Sequence, residues 1–306
     1  MAVNILERIE KYDKDHCWQY DIRLNNYEDD LKMFGLTEEF VNTLTPSDFY
    51  FEVIDSNNKR KKEELGNFIK RHEWLGNLSQ FTTHWFAAYV DIPDGWGGVE
   101  KVLSGVILMN QPNMFSKMLG EDTKYLERLV SRGACISWSP KNLASKFLMW
   151  CINWMVKNTQ YRLFTAYSDT TAKEMGTIYQ ACNWYYLGQT FGADKRYINP
   201  YNGKLISDRA FRQKTFYKKY AEELGIEWQN NWIEDNKINW KNIPDDIEEQ
   251  LRSMSKKKQN NSKVIELPKK HKYAYVKGAN KTETKQLRKK FLEKHTILPY
   301  PKERGA

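Results

Sequence analysis

From Glu127 to Lys157 the period of the apolar residues changes once and abruptly. "ERLVSRGACISW" (127–138) is β-branched and apolar and reads as a strand. A helix is expected over 140–157, where Leu143, Phe147, Cys151 and Trp154 recur at spacings of four, four and three. Between them stands only Ser139, a good cap, and Pro140 is suited to the first helical position. A strand that feeds a helix this directly demands a fold in which strands and helices alternate. It also aims the free backbone N–H groups of the first turn, backed by the helix dipole, beyond the end of the strand. Such groups bind anions, and a diphosphate suits them. The plainer reading is an ordinary N-cap satisfied by Ser139 and water.

The flanking segments extend the pattern. "THWFAAYVD" (83–91) and "KVLSGVILMN" (101–110) read as strands joined by the Gly/Pro-marked turn "IPDGWGG". "YRLFTAYSD" (161–169) and "WYYLGQTF" (184–191) read as further strands around the short helix "AKEMGTIYQACN" (172–183). The middle of the chain therefore runs β-β-β-α-β-α-β. Before it come helix, turn and helix over 1–45 and a charged helix over 59–76. After it, helical stretches are expected over 205–235 and 244–262. Three parts follow: an N-terminal helical region (1–79), an α+β core (80–192) and a helical, basic C-terminal extension (193–306).

Several classes are excluded or disfavoured by composition. No run of eighteen apolar residues is present, and the charged start "MAVNILERIEKYDKD" lacks a signal-type apolar region, so a cytoplasmic protein is expected. Cys17, Cys135, Cys151 and Cys182 are scattered without a C-x-x-C pair and read as reduced thiols. Charge is uneven: residues 255–306 carry sixteen Lys/Arg against four Glu, a net of +12, whereas the whole chain is +9. A segment this basic favours a polyanion, and "HKYAYVKG" and "ILPYPK" add aromatic rings that could stack on bases. A merely solvated tail is the alternative.

The strand and helix order, with the anion-type turn after its third strand, resembles the acyl-CoA N-acyltransferase (GNAT) superfamily over roughly residues 80–192. In place of the glycine-rich acyl-CoA loop stands "SWSPKNLAS". "RLVSRGACISWSPKNLAS", then "TAYSDTTAKEMGTIYQACNWYYLG", then the basic tail resemble one branch more closely, the phage Mom-like DNA-modification proteins. The resemblance implies a mixed, mostly antiparallel sheet flanked by helices, in which one strand splays from its neighbour. It implies transfer of a carbamoylmethyl or acyl-type group to the exocyclic amine of adenine, protecting phage DNA from restriction. It further implies acetyl-CoA or a related acyl-CoA as cofactor, iron as an associated metal and double-stranded DNA as partner. A homodimer stays open.

Candidate residues follow from position and from that resemblance. Asp169 ends a strand, where chemistry is placed in such folds; capping the next helix is its plainer role. Tyr179 would protonate a leaving thiolate; otherwise it is a packed ring. Arg132 and Arg128 share a face by strand parity provided no bulge intervenes, and Arg132 is preferred as a phosphate grip. Ser145 in the first helical turns is the fourth catalytic candidate. Ser139, Lys141, Asn142 and Leu143, with Ile136 and Asn183, are the cofactor-binding candidates. His84, Asp169 and Tyr179 would offer iron one nitrogen and two oxygens. Cys135 reads best as a buried small hydrophobe. Lys269, Lys270, Lys272, Arg288, Lys289, Lys290 and Arg212 are the expected DNA contacts. Two rivals remain: a GNAT enzyme acylating a protein or small amine, and a non-catalytic DNA-binding protein with a GNAT-like shell.

Overall fold

The computed structural model describes residues 4–13, 17–79, 81–94, 97–112, 116–190 and 194–302. The chain divides into two units, one formed by 1–190 with 270–306 and one by 191–269.

The first unit opens with α1 (Ile5–Asp13), α2 (Trp18–Met33) and α3 (Glu38–Thr43). Ile5 and Ile9 of α1, four apart, are both buried. β1 (Phe49–Ile54) follows, a strand absent from the sequence reading; "FYFEVI" is mostly aromatic and apolar and offers no clean alternation. α4 (Lys59–His72) ends at Glu73, short of the expected Gly76. Next come β2 (Thr82–Pro93), β3 (Val99–Asn110), β4 (Glu127–Cys135), α5 (Leu143–Asn158), β5 (Leu163–Ser168), α6 (Thr177–Ala181) and β6 (Tyr185–Gln189). This is the expected β-β-β-α-β-α-β order. Gly95 and Trp96 of the β2–β3 turn lie outside the described residues.

The second unit holds β7 (Asp194–Ile198), β8 (Leu205–Ile206), α7 (Lys214–Glu223), β9 (Ile233–Glu234), β10 (Lys237–Ile238), α8 (Asp245–Asn261) and β11 (Val264–Leu267). The helix expected over 205–235 shrinks to α7. Gly225, at φ +69°, terminates it, and Asp235 and Asn236, both at positive φ, make the tight turn of the β9–β10 hairpin. Phe211, Phe216, Tyr220 and Leu251 form the core of this unit.

The chain then returns to the first unit with β12 (His271–Val276) and α9 (Lys281–Leu292). Its sheet runs β1-β2-β3-β4-β5-β12-β6, and every neighbouring pair is antiparallel except β4 and β5. The expected C-terminal extension is therefore not one piece: part is the second unit, and part is a strand deep in the sheet. "HKYAYV" places His271, Tyr273 and Tyr275 on one face and Lys272, Ala274 and Val276 on the other. Tyr273, Ala274 and Val276 are fully buried; flanking lysines disguise the segment as a tail.

Helices α5 and α6 cover one face of the sheet, packing Phe147, Cys151 and Met155 against Phe86, Phe164 and Ala166. The other face carries α1, α2 and α4 over Leu108, Ala134 and Ile136, and α9 over β12 through Phe291. β4 and β5 pair only from Glu127–Val130 to Leu163–Ala166. Beyond that, β4 stays with β3 as far as Cys135, and β5 stays with β12 as far as Ser168. The two strands part, and a wedge opens between their C-terminal ends.

Candidate active site

The wedge opens at the edge where β4 gives way to α5. Asn142 takes a left-handed conformation (φ 69°) at the N-cap, so α5 begins three residues later than Pro140 suggests. Ser139 is not its cap. Its amide bonds Ile136 O at 3.0 Å, and its carbonyl and hydroxyl take Arg23 Nη2 at 3.2 and 3.3 Å. Ile136 is likewise closed, its amide on Ser104 O at 2.9 Å. Leu143 is fully buried and its amide bonds Pro140 O at 3.3 Å. Among the described residues no acceptor meets the amides of Lys141, Asn142, Ala144 or Ser145, and Lys141 and Asn142 are exposed. The donors thus exist two to six residues later than Ser139. Arg23, which sequence reasoning missed, lies beneath this loop; burial lowers its pKa to about 10, which leaves it charged at neutral pH. The Ser145 hydroxyl donates to Asn142 O at 3.0 Å and so closes its own helical turn.

A β-bulge decides the two arginines. Val130 faces Met109 and Arg132 faces Leu108, so Ser131 is the extra residue. Same-face parity therefore fails. Arg128 lies on the α5 side, with its guanidinium 3.5 Å from the centre of the Tyr161 ring. Arg132 lies on the α4 side, bonding Asn77 O at 2.9 Å and Asn77 Oδ1 at 2.8 Å, with Glu73 at 3.8 Å.

Three acids and a phenol gather at the wedge. Asp169 caps the turn after β5, accepting from Thr171 N at 3.0 Å, and pairs with Lys270 Nζ at 2.9 Å. Burial pushes its pKa up, but Lys270 and Thr171 outweigh that and hold it below the ordinary range. Glu174, absent from the sequence-based candidates, reaches back: Oε2 accepts Asp169 N and Oε1 accepts Trp74 Nε1, each at 3.0 Å. Burial raises its pKa to about 7; the two hydrogen bonds oppose this and the charges of Glu73 and Asp169 add to it. Glu73 is raised as well, by burial, with Arg132 opposing. Tyr179 packs against Trp184 and Tyr273 with ring centres 5.0 and 5.3 Å away. Burial first, then the charge of Glu174, lifts its phenol above the ordinary range, so it stays protonated. Gly176 allows this packing. At φ +69°, any Cβ there would come within 2.4 Å of the Tyr273 ring. A sequence signal existed for Glu174, five residues after Asp169 in the same motif, but Trp74 is a hundred residues away and only the fold supplies it.

Other candidates separate. His84 neighbours Phe86, Trp154 and Tyr161, and burial with the Arg128 charge lowers its pKa to about 4. It stands on β2, two strands away from β4 and three from β5, so it does not join Asp169 and Tyr179. Among the described residues no three His, Cys, Asp or Glu side chains form a group fit for a metal ion. The proposed iron ligands therefore do not fit iron. Burial raises the Cys135 thiol to about 11, as suits an inert hydrophobe. Asn183, at φ +55°, is an exposed turn residue just after α6.

The expected DNA contacts also divide. Lys270 is held by Asp169, and Lys272 is half-buried with Nζ 3.2 Å from Met118 Sδ. Arg212 pairs with Asp208 at 2.6 Å in the second unit, where Lys269 also belongs. Arg288, Lys289 and Lys290 ride on α9, the last two exposed. The expected stacking aromatics are structural: Tyr273 is buried, and Tyr300 Oη donates to Trp184 O at 2.7 Å.

A mostly antiparallel mixed sheet with one splayed parallel pair and a helix N-terminus at the opening is a GNAT-like architecture. Residues 98–243, just under half of the chain, match the Mom protein family, and over that segment the chain is Mom-like. Among solved structures, a candidate acetyltransferase from Salmonella typhimurium with its cofactor acetyl-CoA shares 10% identity, covering 51% of this chain and 88% of its own (TM-score 0.33). A candidate phosphinothricin N-acetyltransferase shares 15%, covering 51% and 92% (TM-score 0.30). A candidate acetyltransferase from Staphylococcus epidermidis shares 11%, covering 52% and 91% (TM-score 0.31). No curated protein matches the chain.

Proposed function

We propose that this chain is a Mom-like transferase that modifies the exocyclic amine of adenine in double-stranded DNA, using an acyl-CoA bound in the wedge. The observation that supports this reading is the β4–β5 opening itself: the open amides of α5 follow one of the parting strands and the Asp169–Glu174–Tyr179 group follows the other, within a Mom-like segment. Acyl-CoA suits the residues present. The amides of Lys141, Asn142, Ala144 and Ser145 would hold its diphosphate, with the Lys141 and Arg23 cations nearby. When bound, it supplies a carbonyl carbon activated as a thioester.

The rest falls to the protein. Adenine's amine is a weak nucleophile because its lone pair is delocalised into the ring, so its proton must leave as the new bond forms. Glu174 is suited to take it. Its carboxylate is oriented through both oxygens, and a pKa near 7 matches the working pH of a general base. Tyr179, kept protonated, can donate to the departing sulfur. Lys270 keeps Asp169 ionised, and Asp169 in turn fixes Glu174 through its backbone amide. Trp74 supplies an aromatic surface beside Glu174 for a base turned out of the duplex. The test is to digest DNA from cells producing the protein and weigh the nucleosides. A mass shift confined to deoxyadenosine is expected; an unaltered pool alongside folded protein refutes the reading.

A further inference from the structure

A groove of about 960 Å³ lies along α9. Tyr185, Lys277, Lys281, Lys285, Arg288 and Lys289 line it, with Glu293 as the acid at its end. We infer that this groove grips the phosphodiester backbone of double-stranded DNA, with Lys281, Lys285 and Lys289 as the phosphate contacts. The choice of DNA rests on the proposed function; the choice of surface does not.

The three lysines recur every four residues, so they form one stripe about 12 Å long on the helix. All three are exposed, and among the described residues no carboxylate lies within ion-pair distance of any of them. The acid of the first turn, Glu283, is already taken by Arg162 Nε at 3.0 Å and by the amide of Ala279. Arg288 is oriented by its bond to Val276 O at 3.1 Å, and Lys277 by its bond to Asn153. The groove therefore presents five cations against the single acid Glu293, a net positive field on a rigid element. Phe291 is fully buried against Ala274 and Val276, which fixes the stripe to the sheet that carries the wedge. Its concave shape suits a narrow charged strand. Among its lining residues Leu292 is the one strongly exposed aliphatic side chain, set against five cations, so the groove favours a charged ligand over a hydrocarbon one. Of the C-terminal cations expected to meet DNA, Lys270 and Lys272 are engaged internally. Lys281 and Lys285, which were not among them, take their place.

The experiment measures binding of the full-length protein to a short double-stranded oligonucleotide by fluorescence anisotropy across a salt series. The triple variant Lys281→Ala, Lys285→Ala, Lys289→Ala keeps helix propensity. Three lost phosphate contacts should flatten the slope of log K against log salt by about 2 to 3. Between about 50 and 200 mM salt the wild type should then lose about 40-fold more affinity than the variant. Glu174→Gln should bind like the wild type, which separates DNA grip from chemistry. If that variant binds but does not modify, and the triple variant binds like the wild type, the groove is refuted while the proposed function stands. Salt dependence carried instead by Lys256→Ala and Lys257→Ala on α8 also overturns the inference. So does tighter binding of the wild type to an RNA duplex or to phosphatidylserine vesicles. If the groove is upheld and adenine remains unmodified, it is the catalytic reading that fails.

Discussion

Glu174 carries the most exposed wager at the scale of single residues. Its neighbours explain why a glutamate titrates near neutrality: removal from water outweighs hydrogen bonds from Trp74 and the Asp169 amide. If it accepts the proton, kcat/KM should rise about tenfold per pH unit below roughly 7 and level off above it. Glu174→Gln should lose on the order of 100-fold in rate and flatten that profile, as measured on an adenine-containing duplex. Stability carries the opposite sign. The folded protein binds this proton more tightly than the unfolded chain, whose glutamate titrates near 4.5. Stability should therefore fall as pH rises from about 4.5 to 7, by up to about 3 kcal/mol, and the Gln variant should lack that fall in urea titrations. The motif was legible around Asp169 and Tyr179. Glu174's surroundings were not, because Trp74, which follows α4 and bonds its carboxylate, stands a hundred residues earlier in the chain.

At the scale of elements, the N-terminus of α5 is the feature to probe. Asn142→Asp leaves a residue that tolerates the left-handed cap and adds a charge favourable to the helix dipole. The same charge repels a diphosphate. Acyl-CoA binding by calorimetry should weaken about 5- to 10-fold while the melting temperature does not drop. A fall in both would assign Asn142 a purely structural role. The helix itself was readable from its apolar spacing, but its start was not. Pro140 and Ser139 are good opening residues, yet Arg23 takes Ser139 and moves the first turn to Leu143. Strand β4 carries the same lesson. Parity assigns Arg128 and Arg132 to one face until the bulge at Ser131 sends them apart.

For the whole molecule, β12 is the decisive element. A chain truncated after Lys269 loses the strand between β5 and β6, so it should fail to give the near-UV circular dichroism of packed aromatics rather than yield an enzyme lacking only its DNA grip. The second unit is different. Thr190 and Lys270, the residues of the first unit that flank it, are bonded to each other, amide to carbonyl at 2.8 Å and amide to hydroxyl at 3.1 Å. Those bonds tie β6 to β12 across the point where residues 191–269 are inserted. The sequence by itself determined the alternation of strands and helices from β2 to β6, because apolar periodicity is a local record of which face is buried. It also determined the location of the motif around Asp169. Only the tertiary structure decided that a lysine-flanked "HKYAYV" completes the sheet, that β4 and β5 part after four residue pairs, and that Trp74 meets Glu174. Those outcomes depend on partners 36 to 113 residues away, whose pairing no local pattern encodes.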